Sequence, residues 1–227
     1  LLMGGQACIL YGAAEFSKKV DFAILADNNN LVRLRSALKA LDAEVIAVPL
    51  FERRWLKAGL AIHFRCRASQ AEGFRIDVMT RMRGMDDFAF LWERRNVVDL
   101  EPDLSVPVMA LPDLVASKKT QRDKDWPMLR RLVEVDYFSQ RDQPADWQPA
   151  FWLSELRGAA LLIKAAGALP GAAKRECERR GLLRHAMEQR PAELAAALAE
   201  EEQSVRDADR EHWEPLRNIL SDLRRRR

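Results

Sequence analysis

The sequence predicts an α+β fold, a mixed sheet with packed helices followed by a helical C-terminal region. Three observations predict it. Residues 1 to about 110 alternate short apolar runs with turns. From about 111 onward Ala, Leu, Arg and Glu dominate in helical patterns. The strand-like runs are separated by one clear amphipathic helix rather than by tight hairpin turns alone, which suits a sheet with helices laid on it.

The elements follow in order. "LLM" opens as a strand, and Gly4-Gly5 turns the chain into a short helix at about 5–13. Val20–Ala26 is an apolar run of the length of a buried strand. "DNNN" (27–30) is a turn that caps the next helix. In "LVRLRSALKALD" (31–42), Leu31, Leu34, Leu38 and Leu41 share one face with basic residues opposite. "AEVIAVP" (43–49), "LAIHFRC" (60–66) and "FRIDVM" (74–79) read as strands. "LPDLVASKKTQR" starts a helix with Pro112 in its first turn. "DKDWPMLRRLVEVDYF" starts another, with Asp125 as N-cap, Pro127 in the first turn, and a buried stripe of Leu129, Leu132, Val133 and Tyr137. "RDQPADWQP" (141–149) reads as a linker. Residues 151–166 and 191–227 are amphipathic helices, the last one kinked or split at Pro215. The expected domains are 1–110, an α/β core; 111–140, helices completing a cleft; and 150–227, a helical domain.

Composition narrows the function. The chain has 227 residues, is 48% hydrophobic and carries a formal charge of +3, so global charge does not announce a nucleic-acid binder. Cys8, Cys66 and Cys177 lack CxxC spacing and fit reduced thiols in a cytoplasmic protein. His63, His185 and His212 form no ligand cluster with them, which disfavours zinc. No run reaches the ~20 apolar residues of a membrane span, and no signal peptide is read. The abrupt apolar opening suggests that an N-terminal segment precedes it.

The chemistry concentrates in "SKKVDF" (17–22) and "RIDVM" (75–79). Phosphoryl or nucleotidyl transfer needs backbone N–H groups close to a triphosphate, hence glycines in a tight turn before a helix. It also needs carboxylates converging from neighbouring strands on divalent ions. Gly4-Gly5 supplies the first kind of group. Asp21 and Asp77, each inside an apolar strand, supply the second, since a carboxylate is costly to bury without a partner or a metal. A strand-end Asp bound to an amide or an Arg is the bland alternative for either one alone.

Gly-Gly after a first strand, Ser17 before Asp21, and the later strand aspartate Asp77 together resemble the nucleotidyltransferase fold superfamily, the polymerase beta-like group. Its pattern is a Gly-Gly or Gly-Ser turn, Asp-x-Asp on the second strand and a third Asp on a later strand. The resemblance covers roughly residues 1–80. It extends more loosely to "LPDLVASKKTQRDKDW", which is similar to a segment of the stand-alone and toxin-type branch, the nucleotidyltransferase toxins of abortive-infection systems included. It implies metal-dependent transfer of NMP from NTP to a hydroxyl of a small molecule, a protein or a tRNA. Gly4, Gly5 and Ser17 would hold the phosphates, Asp21 and Asp77 would bind Mg²⁺ or Mn²⁺, and Lys118 or Lys119 would contact the triphosphate. Arg122, Lys124 and Asp125 would line the same cleft. A partner protein or a second copy of the chain is a further expected partner.

One position departs from the pattern. The first Asp of Asp-x-Asp falls at position 19, which is Lys19. The other register, Asp21 and Ala23, also lacks one carboxylate; the first is preferred because an apolar strand follows the second Asp directly. Two unit charges ~4 Å apart interact by about 4 kcal/mol at an effective dielectric of ~20, and an ammonium beside a divalent ion is opposed by roughly twice that. Lys19 is therefore expected to sit between Asp21 and Asp77 as a salt-bridge plug, with metal binding weakened or absent. A natural pseudoenzyme and an inactivating substitution both fit this pattern, and so does a non-catalytic nucleotide-sensing or protein-interaction module.

Other features take structural readings. "RRGLLRH" (179–185) and the Arg224–Arg227 tail could grip RNA phosphates, and a surface helix and a chain end are preferred. Trp92, Trp126, Trp147, Trp152 and Trp213 read as core or inter-helix anchors. His63 reads as a packed or cleft-rim histidine rather than a general base.

Overall fold

The computed structural model describes residues 1–226. Contacts divide them into two compact units, Leu1–Ser117 joined by the stretch from Glu211 onward, and Lys118–Arg210. Composition alone placed boundaries near 110 and 150.

In the first unit the order is β1 (Leu2–Met3), α1 (Gly4–Leu10), β2 (Lys19–Ala23), α2 (Asn28–Ala40), β3 (Glu44–Val45), α3 (Arg53–Lys57), β4 (Ile62–Arg65), β5 (Arg75–Met79), α4 (Phe88–Glu93), β6 (Asn96–Glu101), β7 (Leu104–Val108) and α5 (Leu111–Ser117). Seven strands make one mixed sheet in the order β3-β4-β5-β2-β1-β7-β6. β2 runs antiparallel to β1 and parallel to β5, and β4 runs antiparallel to β5. This is the α+β architecture that the alternating runs predict.

Strand periodicity sorts the two faces. Ile62, Phe64, Ile76 and Val78 leave one face and join a core with Leu31 and Leu38 of α2 and Leu56 of α3. Phe22, Leu34 and Leu41 pack against it partly buried, so the leucine face of the 31–42 helix meets the sheet. Asp27 caps α2, its carboxylate accepting from the Asn30 N–H at 2.7 Å. The opposite face carries Lys19, Asp21, His63, Arg75 and Asp77, one step out of phase with the core residues.

Several expectations change. The 43–49 strand shrinks to two residues, because Pro49 cannot donate to a ladder and residues 46–49 leave regular pairing. The hairpin β6–β7, which the sequence pattern does not predict, turns at Pro102-Asp103 with an irregular register between Asp99 and Glu101. α5 stops at Ser117, so the 118–124 stretch connects two helices instead of extending one.

The second unit is helical: α6 (Asp125–Gln140), α7 (Gln148–Glu155), α8 (Ala159–Ala168), α9 (Pro170–Glu176), α10 (Leu183–Met187) and the first part of α11 (Pro191–Arg225). The predicted stripe of α6, Leu129, Leu132, Val133 and Tyr137, is buried. Asp125 lies inside the first turn and Lys124 is the N-cap, because the Asp125 carboxylate is taken by Thr120 and Arg122 rather than by the helix's own N–H groups. The single helix expected at 151–166 is two, since Leu156 and Gly158 adopt extended backbone between them. α11 runs through Pro215 without splitting. The lost hydrogen bond there is the one to the Glu211 carbonyl, four residues back, and Glu211 is where the helix passes from the second unit to the first. Trp126 and Trp152 are core residues, whereas Trp92 and Trp147 are exposed, Trp147 with its ring against buried Phe151. Arg224 and Arg225 close α11, and Arg227 of the basic tail lies outside the described residues.

Candidate functional site

Three adjacent strands bring the polar residues together. In β2, Lys19 and Asp21 are two residues apart and so leave the same face. In β5, Arg75 and Asp77 do the same. The parallel register sets Lys19 opposite Arg75 and Asp21 opposite Asp77, and the β4–β5 register sets His63 opposite Asp77. The two carboxylates that the sequence singles out are therefore cross-strand neighbours.

Both are buried, Asp21 at 5% and Asp77 at 2% exposure. The Lys19 ammonium donates hydrogen bonds to Asp21 Oδ1 and to Asp77 Oδ2. The other oxygen of Asp77 meets His63 Nδ1 at 2.7 Å, and an Arg75 guanidinium nitrogen lies 3.7 Å from it. Burial alone would push the Asp77 carboxyl up. The hydrogen bonds from His63 and Lys19 outweigh it and hold the group at about 2. For Lys19, burial works to lower its affinity for the proton, and the bonds to Asp21 and Asp77 raise it above the usual lysine value. The ammonium stays charged, and so does Asp77.

The two glycines are set by Asp21 and Ser17. Gly4 has φ +66°, and a Cβ there would collide with the Asp21 carboxylate. A Cβ on Gly5 would sit 2.5 Å from Ser17 Oγ. Ser17 in turn donates to the Lys19 carbonyl at 2.9 Å, fixing the entry into β2. Gly4, Gly5, Ser17, Lys19, Asp21 and Asp77 thus form one contiguous group.

Lys118, Lys119, Arg122 and Asp125 belong to the second compact unit and make two clusters there. The buried Asp125 carboxylate accepts from Thr120 Oγ1 at 2.6 Å and Arg122 Nε at 2.8 Å, with Lys118 Nζ at 3.9 Å. Lys119 pairs with Glu155 at 2.6 Å.

Two further residues join the first group, His63 and Arg75. From sequence His63 reads only as a packed or cleft-rim residue, and Arg75 does not stand out. The signal was present: with period two, "IHFR" and "RIDVM" place His63, Arg75 and Asp77 on the face that Asp21 shares.

The divalent ion that the resemblance implies does not fit this donor set as it stands. The two carboxylates already share an ammonium, and among the described residues no group of three or more His, Cys, Asp or Glu is arranged to hold a metal ion. No family model matches the chain, and no curated protein matches it at a significant level. No helix among the described residues is long and apolar enough to cross a membrane.

Proposed function

We propose that the first unit is a nucleotidyltransferase-like module in which NMP transfer from NTP to a hydroxyl acceptor is held off by Lys19, in a protein working in the cytoplasm. The observation that carries this reading is the hydrogen bonding of Lys19 to both Asp21 and Asp77. A divalent ion, when bound between such carboxylates, would supply charge neutralisation and open coordination positions for phosphate oxygens. Lys19 supplies one unit of charge, already spent on two carboxylates, and no coordination position. It donates hydrogen bonds and cannot polarise an oxygen as a Lewis acid does. His63 and Arg75 lie on one oxygen of Asp77, which leaves the other to Lys19.

A second reading has its own support. With the charge of Asp21 and Asp77 offset by Lys19 and Arg75 together, a polyphosphate approaching this face meets the part-exposed donors of those two residues instead of two bare carboxylates. That favours a metal-free nucleotide sensor. Assignment of Lys118, Lys119, Arg122 and Asp125 to the nucleotide rests on the motif alone.

The test is paired. The chain and its Lys19→Asp variant are incubated with labelled NTPs, Mg²⁺, total tRNA and cell extract, and pyrophosphate release and label transfer are scored. Transfer by the variant alone supports the held-off transferase, and the labelled fraction gives the acceptor class. Comparable transfer by the unaltered chain contradicts it. No transfer by either, with ATP binding that persists in EDTA, leaves the sensor reading standing in its place.

A further inference from the structure

We infer that β6 pairs with β6 of a second copy of this chain, antiparallel and about a two-fold axis through Val98, so that two seven-stranded sheets join into one. The sheet ends in two edges of different kinds. β3 is two residues long, which is how proteins commonly blunt an edge. β6 is six residues long, and every residue except Val98 is exposed, Val97 and Leu100 included. Phe90 and Trp92 of the neighbouring α4 are exposed as well.

The backbone on this edge is oriented for self-pairing. Met109 N–H donates to the Leu2 carbonyl at 2.9 Å, so Met109 faces β1. By alternation Pro107 and Ser105 also direct their backbone groups toward β1, and Val106 and Val108 direct theirs toward β6. Val106 is opposite Val98 and Val108 is opposite Asn96. The groups of Val98 and Asn96 are therefore used inside the hairpin, and those of Val97 and Asp99 point outward. Pro107, which has no N–H, lies opposite Val97, where none is needed.

A two-fold axis through Val98 sets Val97 of one copy against Asp99 of the other. Those are the two residues with outward groups, so each pair exchanges both hydrogen bonds. The same register places Arg95 of each copy opposite Glu101 of its partner. Basic Arg95 stands just before the strand, and acidic residues gather at its end, Asp99, Glu101 and, in the turn, Asp103. The strand is thus complementary to itself only when antiparallel. Shifting the axis by one residue toward the C-terminus sets Asp99 against Asp99, and opposed like charges disfavour it. The interface is isologous and closes as a dimer.

The experiment reads mass in solution first, with the chain unaltered. Sedimentation from low to high micromolar concentration is expected to show a species of twice 26.0 kDa. Val97→Pro removes an outward N–H without touching the hairpin's own bonds and is expected to give a monomer with unchanged circular dichroism. In a Cys177→Ser background, where Cys8 and Cys66 are buried, Val98→Cys is expected to form an intermolecular disulfide, since a non-hydrogen-bonded antiparallel pair has Cα atoms about 4.5 Å apart. A monomer at every concentration overturns the proposal. So does a dimer that survives Val97→Pro, or one that cross-links through Val97→Cys and not through Val98→Cys.

Discussion

Lys19 and Asp21 stand two residues apart on one strand, and that spacing alone puts ammonium and carboxylate on the same side. The parallel neighbour then delivers Asp77 at the same level, so one cation meets two anions. The arrangement has consequences at single positions. Gly4→Ala puts a methyl group on the Asp21 carboxylate at a positive φ, and the cost is expected to be about 2 kcal/mol or more in a urea melt. Asp77 gives a pH signature. Its carboxyl is at about 2 in the fold against 3.8 for an unperturbed group. A depressed carboxyl stabilises the fold above the unfolded value, and that contribution is lost as pH falls from about 4 toward 2. It amounts to roughly 2–3 kcal/mol. Lys19, raised above 10.5, has the opposite sense: its contribution is present below 10.5 and disappears as pH rises through the folded value. The midpoint of urea unfolding is expected to hold between these limits and drop on both sides, and Asp77→Asn is expected to flatten the acid limb.

At the scale of elements, the second unit depends on a buried charge knot at a helix junction. Arg180 donates to the Leu153 and Leu156 carbonyls at 2.6 and 3.1 Å, which are C-terminal carbonyls of α7 without helical partners. It also donates to Glu201 of α11 at 3.0 and 2.7 Å. Arg157, in the break between α7 and α8, bonds the same Glu201. One arginine thus stops α7, and the break is stabilised from a third helix. Arg180→Ala leaves Glu201 and two carbonyls short of donors and is expected to cost about 3 kcal/mol or more in thermal or urea unfolding. Arg180→Lys is expected to recover only part of this, because an ammonium cannot serve both carbonyls and the carboxylate in the same plane. None of it was legible in the sequence. "RRGLLRH" reads as a basic surface run, and only the fold shows that Arg180 turns inward. Helix α2 was legible because Leu31, Leu34, Leu38 and Leu41 obey its period and Asp27 caps it. The β6–β7 hairpin was not, because β6 is exposed nearly throughout and so has no apolar alternation to betray it.

At the scale of the whole molecule, a helical unit is inserted between α5 and the last stretch of α11, which returns to the first unit. Composition could not place that return, since α11 keeps one helical pattern across the boundary. Of the candidate site, Asp21, Asp77 and Lys19 were legible because charged residues inside apolar strands are conspicuous, and their mutual contact follows from sheet register. Alternation puts His63 and Arg75 on the polar face, and only the register shows that they meet Asp77. The central claim is that the carboxylate pair is closed by the chain's own cation, and it is tested most directly by a Mn²⁺ titration, followed by electron paramagnetic resonance, of the unaltered chain beside Lys19→Asp. The expected result is no saturable Mn²⁺ binding by the unaltered chain and one saturable site in the variant that Asp77→Asn removes. Saturable binding by the unaltered chain, lost on Asp77→Asn, would show that Lys19 yields its place to a metal and would contradict the claim.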